Sequence, residues 1–152
     1  MSAHRSGFTL VEIVAVMVIG FLMAAVSYPR LVPARESAQM GAAKQQVAAA
    51  LTTARAAAVR RGGPVALSIN GNTIRLVGVA INGSLITLDG PFPLDSIHGV
   101  ALSSSASSIT FDSRGVAAGV PVAGVKLVLS NASRRDSICV SRAGMVMTRG
   151  CL

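Results

Sequence analysis

The chain has 152 residues, 51% of them apolar and 13% charged, a length that admits one domain with an appended segment. Five aromatics with no Trp exclude single-strand binding on stacking platforms, and two histidines with two cysteines are too few for a four-ligand metal site without several carboxylates. Fourteen basic residues, twelve of them Arg, against six acidic leave a net charge of +8, which suits nucleic acid, acidic lipid or acidic protein. That charge sits in two places: residues 30–61 and 114–152 each carry +5, residues 1–29 are neutral, and residues 62–113 carry −2.

The chain opens with a short polar stretch, Met1 to Gly7, that contains Arg5. Phe8-Thr9-Leu10-Val11-Glu12 follows, and from Ile13 to Tyr28 there is no charge at all. As a helix, Phe8 to Tyr28 would rise about 31 Å, the thickness of a bilayer's hydrocarbon core. A secretory signal cleaved near Ala25-Val26-Ser27 is the competing reading. Glu12 counts against it, because a carboxylate at the front of the run costs on the order of a few kcal/mol in lipid. The helical pattern also continues past the run, through about Arg61, as a stalk would.

From Val32 to Arg61 the composition is Ala-rich with Glu, Gln, Lys and Arg, which are good helix formers. Met40, Ala43, Val47, Leu51, Ala54 and Ala58 recur at steps of three or four and make one apolar stripe, with Lys44, Arg55, Arg60 and Arg61 mostly off it. Pro29 and Pro33 each remove a donor and are expected to kink or loosen the helix, and Gly62-Gly63-Pro64 to end it.

Beyond Pro64 the pattern changes to short β-rich runs. Val65–Ile69 and Thr73–Val79 flank Asn70-Gly71-Asn72, a hairpin signal, and Asn82-Gly83 precedes Leu85–Leu88. Later expected strands are Ile97–Leu102, Ser108–Phe111, Val120–Leu129, Ser137–Val140 and Met145–Thr148. The expected architecture is α+β: a long N-terminal helix whose second half covers one face of a small antiparallel sheet.

Three features carry a resemblance: Gly7 before Phe8-Thr9-Leu10-Val11-Glu12, the polar leader ahead of it, and the apolar helix closing at Pro29. Together they resemble the leader of type IV pilins and type II secretion pseudopilins. Further pieces, Ala54 to Gly62, Ile109 to Gly115 and Ile138 to Gly144, look like the GspH/FimT branch of minor pseudopilins. The resemblance implies a pilin-like fold divided as leader 1–7, transmembrane and fibre-core helix 8–29, amphipathic stalk 30–62 and periplasmic β-rich domain 63–152. It implies cleavage by prepilin peptidase after Gly7 with methylation of Phe8. Glu12 would then pair with the amine of a neighbouring subunit, a role that sets register more than it supplies stability. The residues alone leave a plainer role for Glu12, snorkelling at the positive end of the helix.

By the same resemblance the subunit is a single-pass protein of the bacterial inner membrane with its C-terminal domain in the periplasm. Its partners would be major and minor pilins or pseudopilins and the inner-membrane assembly platform, with no cofactor. Cys139 and Cys151 then lie where a disulfide persists, and a bridge would close a loop of about a dozen residues, worth up to roughly 3 kcal/mol. One buried and one terminal thiol is the alternative.

Some members of this branch bind DNA through a C-terminal Gly-Arg-x-Arg motif. The matching stretch here is Gly144-Met145-Val146-Met147, with methionines in both arginine places. Arg114, Lys126, Arg134, Arg135, Arg142 and Arg149 remain candidates for a duplex surface, against the plainer reading of a solvated face or an electrostatic match to acidic neighbours. For catalysis, Asp95-Ser96-Ile97-His98 gathers acid, nucleophile and base types, but such adjacency reads as a turn. No phosphate loop or carboxylate pair stands out, and no catalytic residue is expected.

Overall fold

The computed structural model describes residues 9–80 and 82–148, excluding the side chains of Val26 and residues 28–31. The chain divides into two compact units, Met1–Arg35 and Glu36–Leu152. Helix α1 (Leu10–Arg61) contributes to both. It is continuous through Pro29 and Pro33, so the loosening expected there does not end the helix; each proline removes one donor while the flanking turns keep the helical path.

The helix stops where the glycines predict. Gly62 has φ +64, its N–H bonds to the Val59 carbonyl and that of Gly63 to the Ala58 carbonyl, both at 3.3 Å, a left-handed cap that satisfies two terminal acceptors.

In the first unit the apolar side chains of α1 from Leu10 to Met23 are exposed, Leu10 at 80% and Phe21 at 76%. Among the described residues no helix is long and apolar enough to cross a membrane. The expected span extends beyond them: Phe8 is outside the described residues, and the side chains of Val26 and Tyr28 are not described.

The second unit carries β1 (Val65–Asn70), β2 (Thr73–Val79), β3 (Leu85–Pro93), α2 (Leu94–His98), β4 (Ala101–Ser104), β5 (Ser108–Phe111), β6 (Ala117–Ala118), β7 (Val125–Ser130), β8 (Arg135–Val140) and β9 (Val146–Met147). Instead of one sheet there are two, ordered β3-β2-β1-β5-β6 and β4-β7-β8-β9, and every pairing is antiparallel. One core joins them. All six stripe residues of α1 are buried in it with Leu67, Ile74, Leu76 and Phe111 of the first sheet and Leu127, Leu129 and Ile138 of the second. Alternation explains the strands: β7 buries Val125, Leu127 and Leu129 and turns Lys126 outward.

Three runs differ from expectation. Ile97–Leu102 is not one strand: Leu94 is fully buried and starts α2, and Gly99 at φ +65 caps it before β4 begins. Residues 120–124 stay outside β7 because Gly124 closes a turn onto the Pro121 carbonyl at 2.9 Å. β3 runs on to Pro93 as an edge strand, where its prolines sacrifice no ladder bond on the outer side. The Asn70-Gly71-Asn72 signal holds, with Gly71 at φ +57 in a two-residue loop.

Asn72 ties this hairpin to the other sheet. Its Oδ1 accepts from the Leu102 N–H at 2.9 Å, its carbonyl accepts from the Leu94 N–H at 3.0 Å, and its amide donates to Asp95 Oδ2 at 3.4 Å.

Candidate functional site

At the start of α1, the Thr9 carbonyl accepts from the N–H groups of Glu12 and Ile13 at 3.1 and 3.2 Å, and Thr9 Oγ1 accepts from the Glu12 N–H at 3.3 Å. Thr9 is therefore the N-cap, and Glu12 stands at the third helical position, where a carboxylate meets the positive end of the helix. Glu12, Ile13, Val16 and Met17 line one shallow cavity of about 310 Å³, so the acid lies beside an apolar wall. Gly7 and Phe8 lie outside the described residues.

The C-terminal basic set is divided between two places. Lys44, Lys126, Arg135 and Asp136 line a cavity of about 670 Å³, and Arg134, Arg135 and Asp136 line a neighbouring one of about 450 Å³ with Ser37, Met40 and Gly41. Lys44 Nζ pairs with Asp136 Oδ2 at 2.5 Å. Burial pushes Asp136 up, but the hydrogen bonds from Lys44 and the Ser137 N–H, together with the Lys44 charge, outweigh it and hold the carboxyl below its ordinary value. The turn before β8 is fastened to α1: Asn131 Nδ2 donates to the Glu36 carbonyl at 3.2 Å, and Ser133 Oγ bonds the Glu36 carboxylate.

Arg114 and Arg142 stand elsewhere, on the loops that meet Arg55. Lys44 and Arg55 are eleven residues apart on α1, about 16 Å along its axis. Arg114 is 82% exposed and bonds Asp112 Oδ2 through Nε and Nη2 at 3.3 and 3.2 Å. Arg149 lies outside the described residues.

The Arg55 region brings together the three sequence pieces singled out above. Arg55 Nη1 donates to the Gly144 carbonyl at 3.1 Å. Gly115, at φ +77, leaves only 3.0 Å between a would-be Cβ and Arg55 Nε, and a Cβ on Gly144, at φ +74, would strike the Gly115 carbonyl oxygen. The Ala117 N–H donates to the Arg142 carbonyl at 3.1 Å, which ties β6 to the loop after β8. Asp112 folds the first loop, its Oδ1 accepting from the N–H groups of Arg114 and Val116 at 2.9 Å each. The Val116 N–H chiefly, helped by the N–H, side chain and charge of Arg114, outweighs the desolvation that pushes the other way and holds Asp112 below the usual carboxylate range. Asp112-Ser113-Arg114-Gly115 is more than a solvated turn, and spacing alone gave no sign that Gly115 and Gly144 meet on Arg55.

Asp95, Ser96 and His98 make no relay among the described residues. Asp95 Oδ1 accepts from the Ser96 N–H at 2.8 Å, which with Asn72 lowers its pKa, and His98 Nε2 bonds Gln46 Oε1 at 2.6 Å, fastening α2 to α1. Cys139 is buried in β8 and is not free, and Cys151 lies outside the described residues.

A capped N-terminal helix packed by its second half on antiparallel sheets defines a pilin-like α+β subunit. The prokaryotic N-terminal methylation motif matches residues 2–28, and the family described as Type II transport protein GspH matches residues 43–144. The chain belongs to that family, whose members are structural pilin-type subunits. No curated protein matches the sequence. Its fold is similar to that of the type IV minor pilin FimU of Pseudomonas aeruginosa strain PAO1, solved in two crystal forms. The form in space group P21 aligns over 76% of this chain and 91% of that one, at 16% identity and a TM-score of 0.61. The form in P65 aligns over 72% and 92%, at 17% identity and a TM-score of 0.55.

Proposed function

We propose that this chain is a minor pseudopilin, an assembly subunit of a type II secretion or type IV pilus fibre. In this reading prepilin peptidase cuts after Gly7 and methylates Phe8. The segment Phe8 to Tyr28 holds the subunit in the bacterial inner membrane and then in the fibre core, with the β-rich domain in the periplasm. Glu12 pairs with the freed amine of a neighbouring pilin or pseudopilin as the subunit leaves the assembly platform. The observation that carries the reading is the methylation motif, matched over residues 2–28, on a helix whose apolar side chains from Leu10 to Met23 stand exposed. Such a surface needs lipid or other helices to cover it. A Cys139–Cys151 bridge belongs to the same reading, because the periplasm is oxidising.

Intact mass of the membrane-extracted protein tests it: the expected chain lacks the first seven residues and gains one methyl group. Glu12→Gln is expected to leave the protein in the membrane and remove it from sheared fibres. A chain that keeps its leader, or a Glu12→Gln protein recovered from fibres at the wild-type level, overturns the reading.

The alternative, a minor pilin that captures duplex DNA, is favoured by the high charge and the exposure of Arg114, Lys126, Arg134, Arg135 and Arg142. It requires a salt-steep affinity for duplex that falls when either basic group is replaced.

A further inference from the structure

We propose that the groove between α1 and the β7–β8 pair is a docking site for an acidic, extended segment of a different protein. The two cavities described above share Arg135 and Asp136 and so adjoin: the smaller lies along α1 from Ser37 to Gly41, and the larger runs from Lys44 over β7 and β8 to Thr148, the pair making up the groove. Four cations line it, Lys44, Lys126, Arg134 and Arg135, against one acid, Asp136. Lys44 is already matched to Asp136. The only other ion pair among the described residues is Arg114–Asp112, so Lys126, Arg134 and Arg135 face the groove without a carboxylate. Arginine binds carboxylates in a planar, two-point geometry, and the Ser137 and Thr148 hydroxyls in the same wall can donate to further oxygens.

Three observations favour a polypeptide over the phosphate track of a duplex. Asp136 sits where the two cavities meet; a continuous row of phosphates must pass it, whereas a peptide can space its carboxylates to either side. Arg114 and Arg142 stand instead on the loops that meet Arg55, a residue about 16 Å further along α1 than Lys44, and neither lines the groove. The wall also holds the half-buried Val128, apolar surface that a peptide side chain covers and a phosphodiester does not. A second copy of this chain does not fit, since its six acids are scattered, the closest pair, Asp89 and Asp95, six residues apart.

The test uses the full chain in detergent micelles and a fluorescein-labelled hexaglutamate peptide, read by anisotropy at low and high salt. A duplex of equal charge and a hexaglutamine peptide serve as competitors. The expected result is salt-sensitive binding of hexaglutamate that falls roughly tenfold in Lys126→Gln/Arg135→Gln, the scale of two surface ion pairs. Arg114→Gln/Arg142→Gln, which removes the same charge elsewhere, is expected to leave affinity within about twofold. Asp136→Asn releases Lys44 and is expected to raise affinity, a gain that a folding defect cannot produce. No hexaglutamate binding at low salt, equal losses in the two double variants, or a duplex that displaces the peptide from the groove would each overturn the proposal. None of these outcomes bears on whether the chain is cleaved or enters a fibre.

Discussion

Gly144 shows how one atom decides a position. Its φ of +74 already disfavours a side chain, and a Cβ there would run into the Gly115 carbonyl, backbone that cannot step aside. Gly144→Ala is expected to cost about 2–4 kcal/mol by urea unfolding. Gly41 is the contrast: it lies inside α1 with nothing within 4 Å of its would-be Cβ, so Gly41→Ala is expected to stabilise by about 0.5–1 kcal/mol. Charge acts at this scale too. Asp136 has a folded pKa below its unfolded one, so the stability it contributes is present above the unfolded value, about 3.9, and is lost as pH falls through the folded one. Asp95 and Asp112 are shifted in the same sense. Urea midpoints followed from neutral pH into acid should therefore decline, and Asp136→Asn should make that decline shallower.

At the scale of elements, α1 is the organiser. Leu51 is fully buried between the two sheets' core residues, and Leu51→Ala is expected to cost about 2–5 kcal/mol, while Gln45→Ala on the exposed side should stay within about 0.5 kcal/mol. The stripe was legible because a 3.6-residue period needs no knowledge of the partner surface. The strands were legible where alternation and a turn signal agreed, as in Val65–Ile69, Thr73–Val79 and Ser108–Phe111. They were misjudged where the decision is tertiary. Ile97 and His98 carry no helical signature of their own; the buried Leu94, the Asn72 carbonyl and the Gly99 cap make them helical. The division into two sheets was equally hidden, since pairing partners such as β1 with β5 lie some forty residues apart.

For the whole molecule, every core residue among those described lies at or beyond Met40. A fragment beginning at Glu36 is expected to fold by itself, with a single cooperative thermal transition within a few degrees of that of the intact chain in detergent. Loss of the transition would mean that the first unit contributes to the core. Among the candidate residues, the helix start was readable from a compact motif. The basic set was readable as residue types but not as a surface: which cations share a groove depends on the strand register that sets Arg135 opposite Ser130 and Lys126 opposite Cys139.

The Arg55 junction also bears on how the molecule carries tension. A fibre subunit is pulled through its helix, and Arg55 grips the loop after β8 while that loop is tied to β6 of the other sheet. A pull along α1 therefore reaches both sheets at the same moment, loading their strands together instead of peeling them off singly. Single-molecule stretching should record one high-force rupture for the intact domain, and Arg55→Ala should split it into two weaker events.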